Sequence, residues 1–149
     1  MDRLLPRRLD NVYRGKTLAL WLFGLVIAIR LVQSGMILFN LYGTVRSADG
    51  IPLDTYPASA AQTIVAMYAL YALMRFLLSS IGVVTLVRYR SAIPLMFVVI
   101  LVNYAAVQLL VQFVPLSRSG SSPASIVNRT LIAMTVVGLI LSLWKRREA

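Results

Sequence analysis

Arg30, Arg75 and Arg129 each stand inside an otherwise apolar stretch of this chain. A guanidinium stays charged under any condition a protein meets and offers five N–H donors in a planar fork. At membrane depth it must find acceptors, so it either grips an anion or is clamped by polar groups of neighbouring helices. Groups able to share that work recur at helical spacing. Gln33, Ser34 and Asn40 fall on the stripe of Arg30, while Tyr68, Tyr71, Ala72, Ser79 and Gly82 surround Arg75 at three-, four- and seven-residue steps. In the third apolar stretch Asn103 precedes Tyr104, Gln108 and Gln112, which repeat every four residues. In the fourth, Asn128, Thr135 and Ser142 share a face from which Arg129 is turned by about 100°. The candidate set for binding an anion or a partner is therefore Arg30, Arg75, Asn103, Gln33 and Tyr71, with Asp49 and Asp54 as candidate charge partners.

The same residues exclude much. The chain has no His and no Cys, so imidazole-bound haem, thiolate metal sites, disulfides and Cys or Ser-His nucleophiles lack their essential groups. No Asp, Glu or Lys lies within an apolar stretch, which removes an intramembrane aspartyl dyad, a Ser-Lys dyad and a carboxylate proton relay. No glycine-rich phosphate loop stands in a suitable context. Neither a metal nor a cofactor is implied, and catalysis is not expected.

Four apolar runs must position these groups, at about 18–41, 60–87, 93–114 and 126–144. A helix crosses about 30 Å of hydrocarbon with roughly 20 residues, and each run meets that length without the alternation of a barrel strand. With 59% hydrophobic and 13% charged residues, the chain takes lipid as its solvent. The reading is an all-α membrane protein: one domain over residues 1–149, four transmembrane helices in an antiparallel bundle. The first run is too long for a signal-peptide core and ends without a small-residue cleavage site, so it is expected to remain.

Charge gives the orientation, since Lys and Arg in short connections stay cytoplasmic. Arg3, Arg7, Arg8, Arg14 and Lys16 precede the first helix, Arg88 and Arg90 join the second to the third, and Lys145, Arg146 and Arg147 follow the fourth. Only Arg46 and Arg118 lie on the other side. Counting Asp2, Asp10 and Glu148 against Asp49 and Asp54, the two sides carry +7 and 0 of the net +10, and the spans hold the rest. Both termini are thus cytoplasmic. The basic balance serves topology and anionic lipid at the inner leaflet, with no nucleic acid implied. Tyr13, Trp21, Tyr89 and Trp144 mark that interface, and Tyr42 and Tyr56 the far one.

Counting about 1.5 Å per residue from the nearest cytoplasmic basic residue puts Arg30, Arg75 and Asn103 at about 20 Å, with Arg129 and Asn128 somewhat higher. Four helices place polar groups at one depth. Arg129 lies close enough to the outer loop to reach outer head groups.

The connections carry weaker signals. The segment Tyr42 to Tyr56 is a long turn-rich loop, and Pro123 with Ser122 before it marks a helix start. Arg46-Ser47 and Pro57-Ala58-Ser59 are echoed by Arg118-Ser119 and Pro123-Ala124-Ser125, as a duplication of two hairpins would produce. Leu5, Leu9, Val12 and Tyr13 at helical spacing suit either a helix lying on the inner surface or a loose basic tail. Gly24 to Ala28 and Gly138 to Ser142 are small-residue contacts. Asn128-Arg129-Thr130 matches the glycosylation triplet but sits within the membrane, out of reach.

An electrostatic question remains, because Arg30 and Arg75 are cations at a depth where the chain has no acid. Asp49 and Asp54 could dip from the outer loop, a diffusible or lipid anion could sit there, or an acidic residue could come from another membrane protein; a homo-oligomer is a separate possible partnership. The first reading makes the layer structural, the second makes the protein a binder or carrier of an anionic ligand, and the third an accessory subunit. The expected protein is a non-catalytic accessory or structural one of a bacterial inner membrane.

The charge argument is tested by single cysteines. At Ser47 and Ser119 they should react with an impermeant thiol reagent in intact cells, and at Ser91 they should not; the reverse pattern inverts the topology.

Overall fold

A computed structural model describes residues 10–47, 50–114 and 123–144. Among them are four helices long and apolar enough to cross a membrane and no strand, arranged as an antiparallel bundle. Helix α1 spans Thr17–Phe39, and a short helix α2, Leu41–Ser47, follows it. Helix α3 runs Ala58–Arg88, α4 runs Ile93–Phe113 and α5 runs Pro123–Leu143. At 31 residues α3 is about 46 Å long, more than the hydrocarbon thickness, so it tilts or projects beyond it.

The segment expected to be one long outer loop is partly helical. Asn40 ends α1 at φ −140° and ψ 65°, and its Oδ1 accepts the Gly43 N–H at 3.3 Å, an N-cap that starts α2 in a new direction. Asn40 is exposed and belongs to this cap, so it does not share the buried stripe of Arg30. Beyond α2 the chain turns at Gly50, whose φ of 67° suits a residue without a side chain. Ile51 and Leu53 then fold back onto Val45 and Ala61, making a small second core at this far end. Asp49, Ser119 and Ser122 lie outside the described residues, as do Leu5 and Leu9.

At the other end, which we call the basic end, the beginning of α1, the end of α5 and the α3–α4 connection meet. Residues 10–16 are not helical there; they form a strap across this end. The Asp10 N–H donates to Ser91 Oγ at 3.0 Å, Ser91 Oγ–H returns to the Asp10 carbonyl at 2.9 Å, and the Ser91 N–H reaches the same carbonyl at 3.2 Å. The Lys16 N–H reaches the Leu141 carbonyl at 3.4 Å, and the Lys16 ammonium lies 4.6 Å from the Trp144 ring centroid. Ser91 is buried by these contacts, so an unreactive cysteine there reports burial as well as side. Arg88, which is exposed, reports the side alone.

Helix α1 is the centre of the bundle, lying along both α3 and α5, while α4 packs mainly on α5. The main core fills the basic half: Ala19, Phe23, Val26 and Ile27 of α1 meet Ile93, Met96, Phe97 and Ile100 of α4 and Leu131 of α5. Small residues set how closely the helices approach. A Cβ on Gly82 would run into Ile27, and one on Gly138 would come within 2.5 Å of the Phe97 ring. Phe97 is itself held edge-on by Phe23 at a centroid distance of 5.1 Å, so the ring has little room to give.

Gly138→Ala should therefore lower the detergent melting temperature by the equivalent of about 1 to 3 kcal/mol, the usual cost of overpacking. Leu77→Met, at a position exposed toward lipid, should cost little. Equal melting temperatures for the two variants would contradict this packing.

Candidate functional site

The bundle brings four of its helices together through the two buried arginines. Arg30 is 1% exposed and Arg75 is 7% exposed. Arg30, from the middle of α1, donates from Nη2 to Asn103 Oδ1 of α4 at 3.3 Å, and its guanidinium carbon lies 4.8 Å from the Tyr104 ring centroid. Arg75, from α3, donates from Nη2 to Gln33 Oε1 of α1 and to Asn128 Oδ1 of α5, the latter at 3.4 Å. Gln33 is one turn beyond Arg30 on the same helix, which holds both guanidinium groups at one level. Every bond named here runs from a cation to a neutral amide oxygen.

The local sequence explains how these side chains reach inward. Ala72, Arg75, Ser79, Gly82 and Thr85 are the buried positions along the middle and basic part of α3, so the small-residue face read from spacing is the one that packs. Small neighbours leave the long arginine side chain room to run between helices. Ser34 and Ser79 do not bridge helices: each hydroxyl donates to the carbonyl four residues earlier, that of Arg30 at 2.6 Å and that of Arg75 at 2.8 Å. Thr135 does the same to Leu131 at 2.6 Å. These residues contribute smallness, and the amides contribute the cross-links.

Of the candidate site residues, Arg30, Arg75, Asn103 and Gln33 are joined in this layer. Tyr71, 41% exposed, stays at its rim. Asp54 does not reach the arginines: it pairs with Arg46 at 2.7 Å, with both side chains more than half exposed. Asp10 is engaged by Arg14 at 3.5 Å at the basic end. No other carboxylate lies among the described residues, and Asp49 is outside them.

Asn128 and Tyr104 were not in the candidate set, although both carry the layer. The depth count had put Asn128 near Arg75, a usable signal, while the ring of Tyr104 as a platform for Arg30 depends on how α1 and α4 face one another. Arg129 is exposed on the outside of α5, as its rotation from Asn128 implied. Gln108 and Gln112, by contrast, are exposed on the far half of α4 and lie outside the packed interior.

Three guanidinium nitrogens are buried without a hydrogen-bond acceptor: Nε and Nη1 of Arg30 and Nε of Arg75. The Tyr104 hydroxyl is buried beside Arg30. The layer thus holds two positive charges, partly solvated by amides and by one aromatic face, with unused donors. No family model matches this chain, and no curated protein or solved structure is detectably similar to it.

Removing one acceptor should be worse than removing a bonded pair. A hydrogen bond to a charged group contributes about 1.5 to 3 kcal/mol, and a stranded buried donor costs at least as much. Gln33→Leu should therefore destabilise the protein by about that amount. The double variant Gln33→Leu/Arg75→Leu should be less destabilised than the sum of the two single changes. Additive losses in detergent unfolding would show that the pair is not coupled.

Proposed function

We propose that this is a small non-catalytic integral membrane protein, accessory or structural in role, in which the Arg/Asn/Gln layer locks four helices into one arrangement. The observation that carries the reading is the connectivity of that layer. Arg30 joins α1 to α4, and Arg75 joins α3 to α1 and α5, so two side chains tie every spanning helix to another. Inside a bilayer apolar packing between helices has no hydrophobic driving force, and polar cross-links of this kind fix partner and register.

The absence of His and Cys from the chain and of acids from its spans supports a role without chemistry. The one-sided basic residues support cytoplasmic termini and contact with anionic lipid at that face, and the membrane we assign is a bacterial inner one. A second reading, a binder of an anionic ligand, is favoured by the unpartnered guanidinium nitrogens.

The test compares the protein in native membranes with the protein alone. Blue-native electrophoresis of the tagged chain should place it in an assembly with other membrane proteins that loses integrity when the chain is deleted. Reconstituted alone in vesicles, it should show neither substrate turnover nor solute flux. Turnover or flux by the isolated chain would overturn the accessory role.

A further inference from the structure

We infer that the arginine layer is a binding site for a phosphate-type oxyanion, offered either by free phosphate or by a phospholipid head group. The inference rests on the layer and not on the accessory role, since a chain that binds no phosphate could still be an accessory one.

Charge comes first. Arg30 and Arg75 are both more than nine-tenths buried, and the carboxylates among the described residues, Asp10 and Asp54, are held elsewhere by Arg14 and Arg46. Amide oxygens accept hydrogen bonds from a guanidinium without cancelling its charge. The clamp built by Asn103, Gln33 and Asn128 therefore positions two cations and leaves the region between the helices positive. In a low-dielectric surrounding an anion is attracted far more strongly than in water.

Donor geometry narrows the anion. Among the described residues, Nε and Nη1 of Arg30 and Nε of Arg75 are without an acceptor, and the buried Tyr104 hydroxyl lies beside Arg30. These nitrogens lie on different edges of their guanidinium groups, so each offers a single N–H, and a tetrahedral oxyanion has oxygens enough to take one from each of several such donors. A spherical halide would use fewer of these donors.

Access is the third observation. Buried apolar residues of α4 and α5 lie from Tyr104 and Leu131 toward the basic end. On the far side of the layer, positions 35–39 of α1, 105–114 of α4 and 125–130 of α5 include no buried residue. The small core at that end joins only α2, the turn after it and α3. Among the described residues the layer is bordered on its far side by the half-buried Gln33, Asn103 and Asn128 and not by packed apolar side chains. The approach from the basic end, in contrast, is filled by Phe23, Phe97 and Ile100.

The experiment uses the full chain. Binding of radiolabelled inorganic phosphate is measured in mild detergent, and retention of phosphatidylglycerol against phosphatidylcholine is measured by native mass spectrometry after reconstitution in mixed-lipid discs. Saturable phosphate binding near one per chain identifies the free anion. Selective retention of phosphatidylglycerol without phosphate binding identifies the head group. In either case Arg30→Gln and Arg75→Gln should weaken binding about tenfold or more, as loss of a hydrogen bond to a charged group implies. Tyr104→Phe, which keeps the ring against Arg30 and so should fold, should weaken binding severalfold with little change in melting temperature. Arg88→Gln at the basic end should leave binding unchanged. Absence of both kinds of binding in the native chain overturns the inference. So does binding that survives Tyr104→Phe undiminished and is lost in Arg88→Gln.

Discussion

A guanidinium in the hydrocarbon region can neither give up its proton nor reach water, and that constraint orders the rest of this molecule. Its donors must be met by acceptors from other elements, because a helix satisfies its own backbone and has little to spare for a side chain. The acceptors available at the right depth are the amides of Gln33, Asn103 and Asn128, and each belongs to a different spanning helix. Placing Arg30 on the central helix and Arg75 on its closest neighbour therefore fixes the rotation of all four. The apolar residues around them are interchangeable in a way that these five side chains are not.

Two halves of the bundle follow from this layer. Toward the basic end glycine and serine let helices approach until Phe97 touches Gly138 and Ile27 touches Gly82, and the residue 10–16 strap closes that end through Ser91 and Leu141. Toward the far end α4 carries no buried position beyond Tyr104, while α3 is covered by the fold of Val45, Ile51 and Leu53. The polar layer stands at the boundary between the closed half and the open half.

Much of this was legible in the sequence because the physics involved is one-dimensional. Span length and depth depend only on counting residues, so the four helices and the common level of Arg30, Arg75, Asn103 and Asn128 could be read directly. Which side chain meets which depends on how helices are arranged around one another, and one sequence does not encode that arrangement in any local pattern. Gln33 shows the limit: it lies on the stripe of Arg30 yet serves Arg75 across the α1–α3 contact. Gln108 and Gln112 show another, since they repeat at helical spacing after Tyr104 whereas α4 has no buried position beyond Tyr104. Asn40 fitted the Arg30 stripe by spacing, but its side chain competes for the backbone and ends the helix.

The choice of amides over carboxylates bears on what the layer is for. A carboxylate beside each arginine would neutralise it, and a buried pair that is complete has no further use for an anion. A bundle that needed only rigidity could obtain it that way, or from apolar packing, at no larger energetic cost. Amides hold the guanidinium groups in place and leave their charge uncancelled, with three nitrogens still unmatched. Two cations held in place with their charge uncancelled attract an oxyanion strongly in a surrounding of low dielectric, which is the feature the proposed site would use. The stability of the empty bundle and its affinity for an anion are then linked: each unmatched donor that weakens the first is available to strengthen the second.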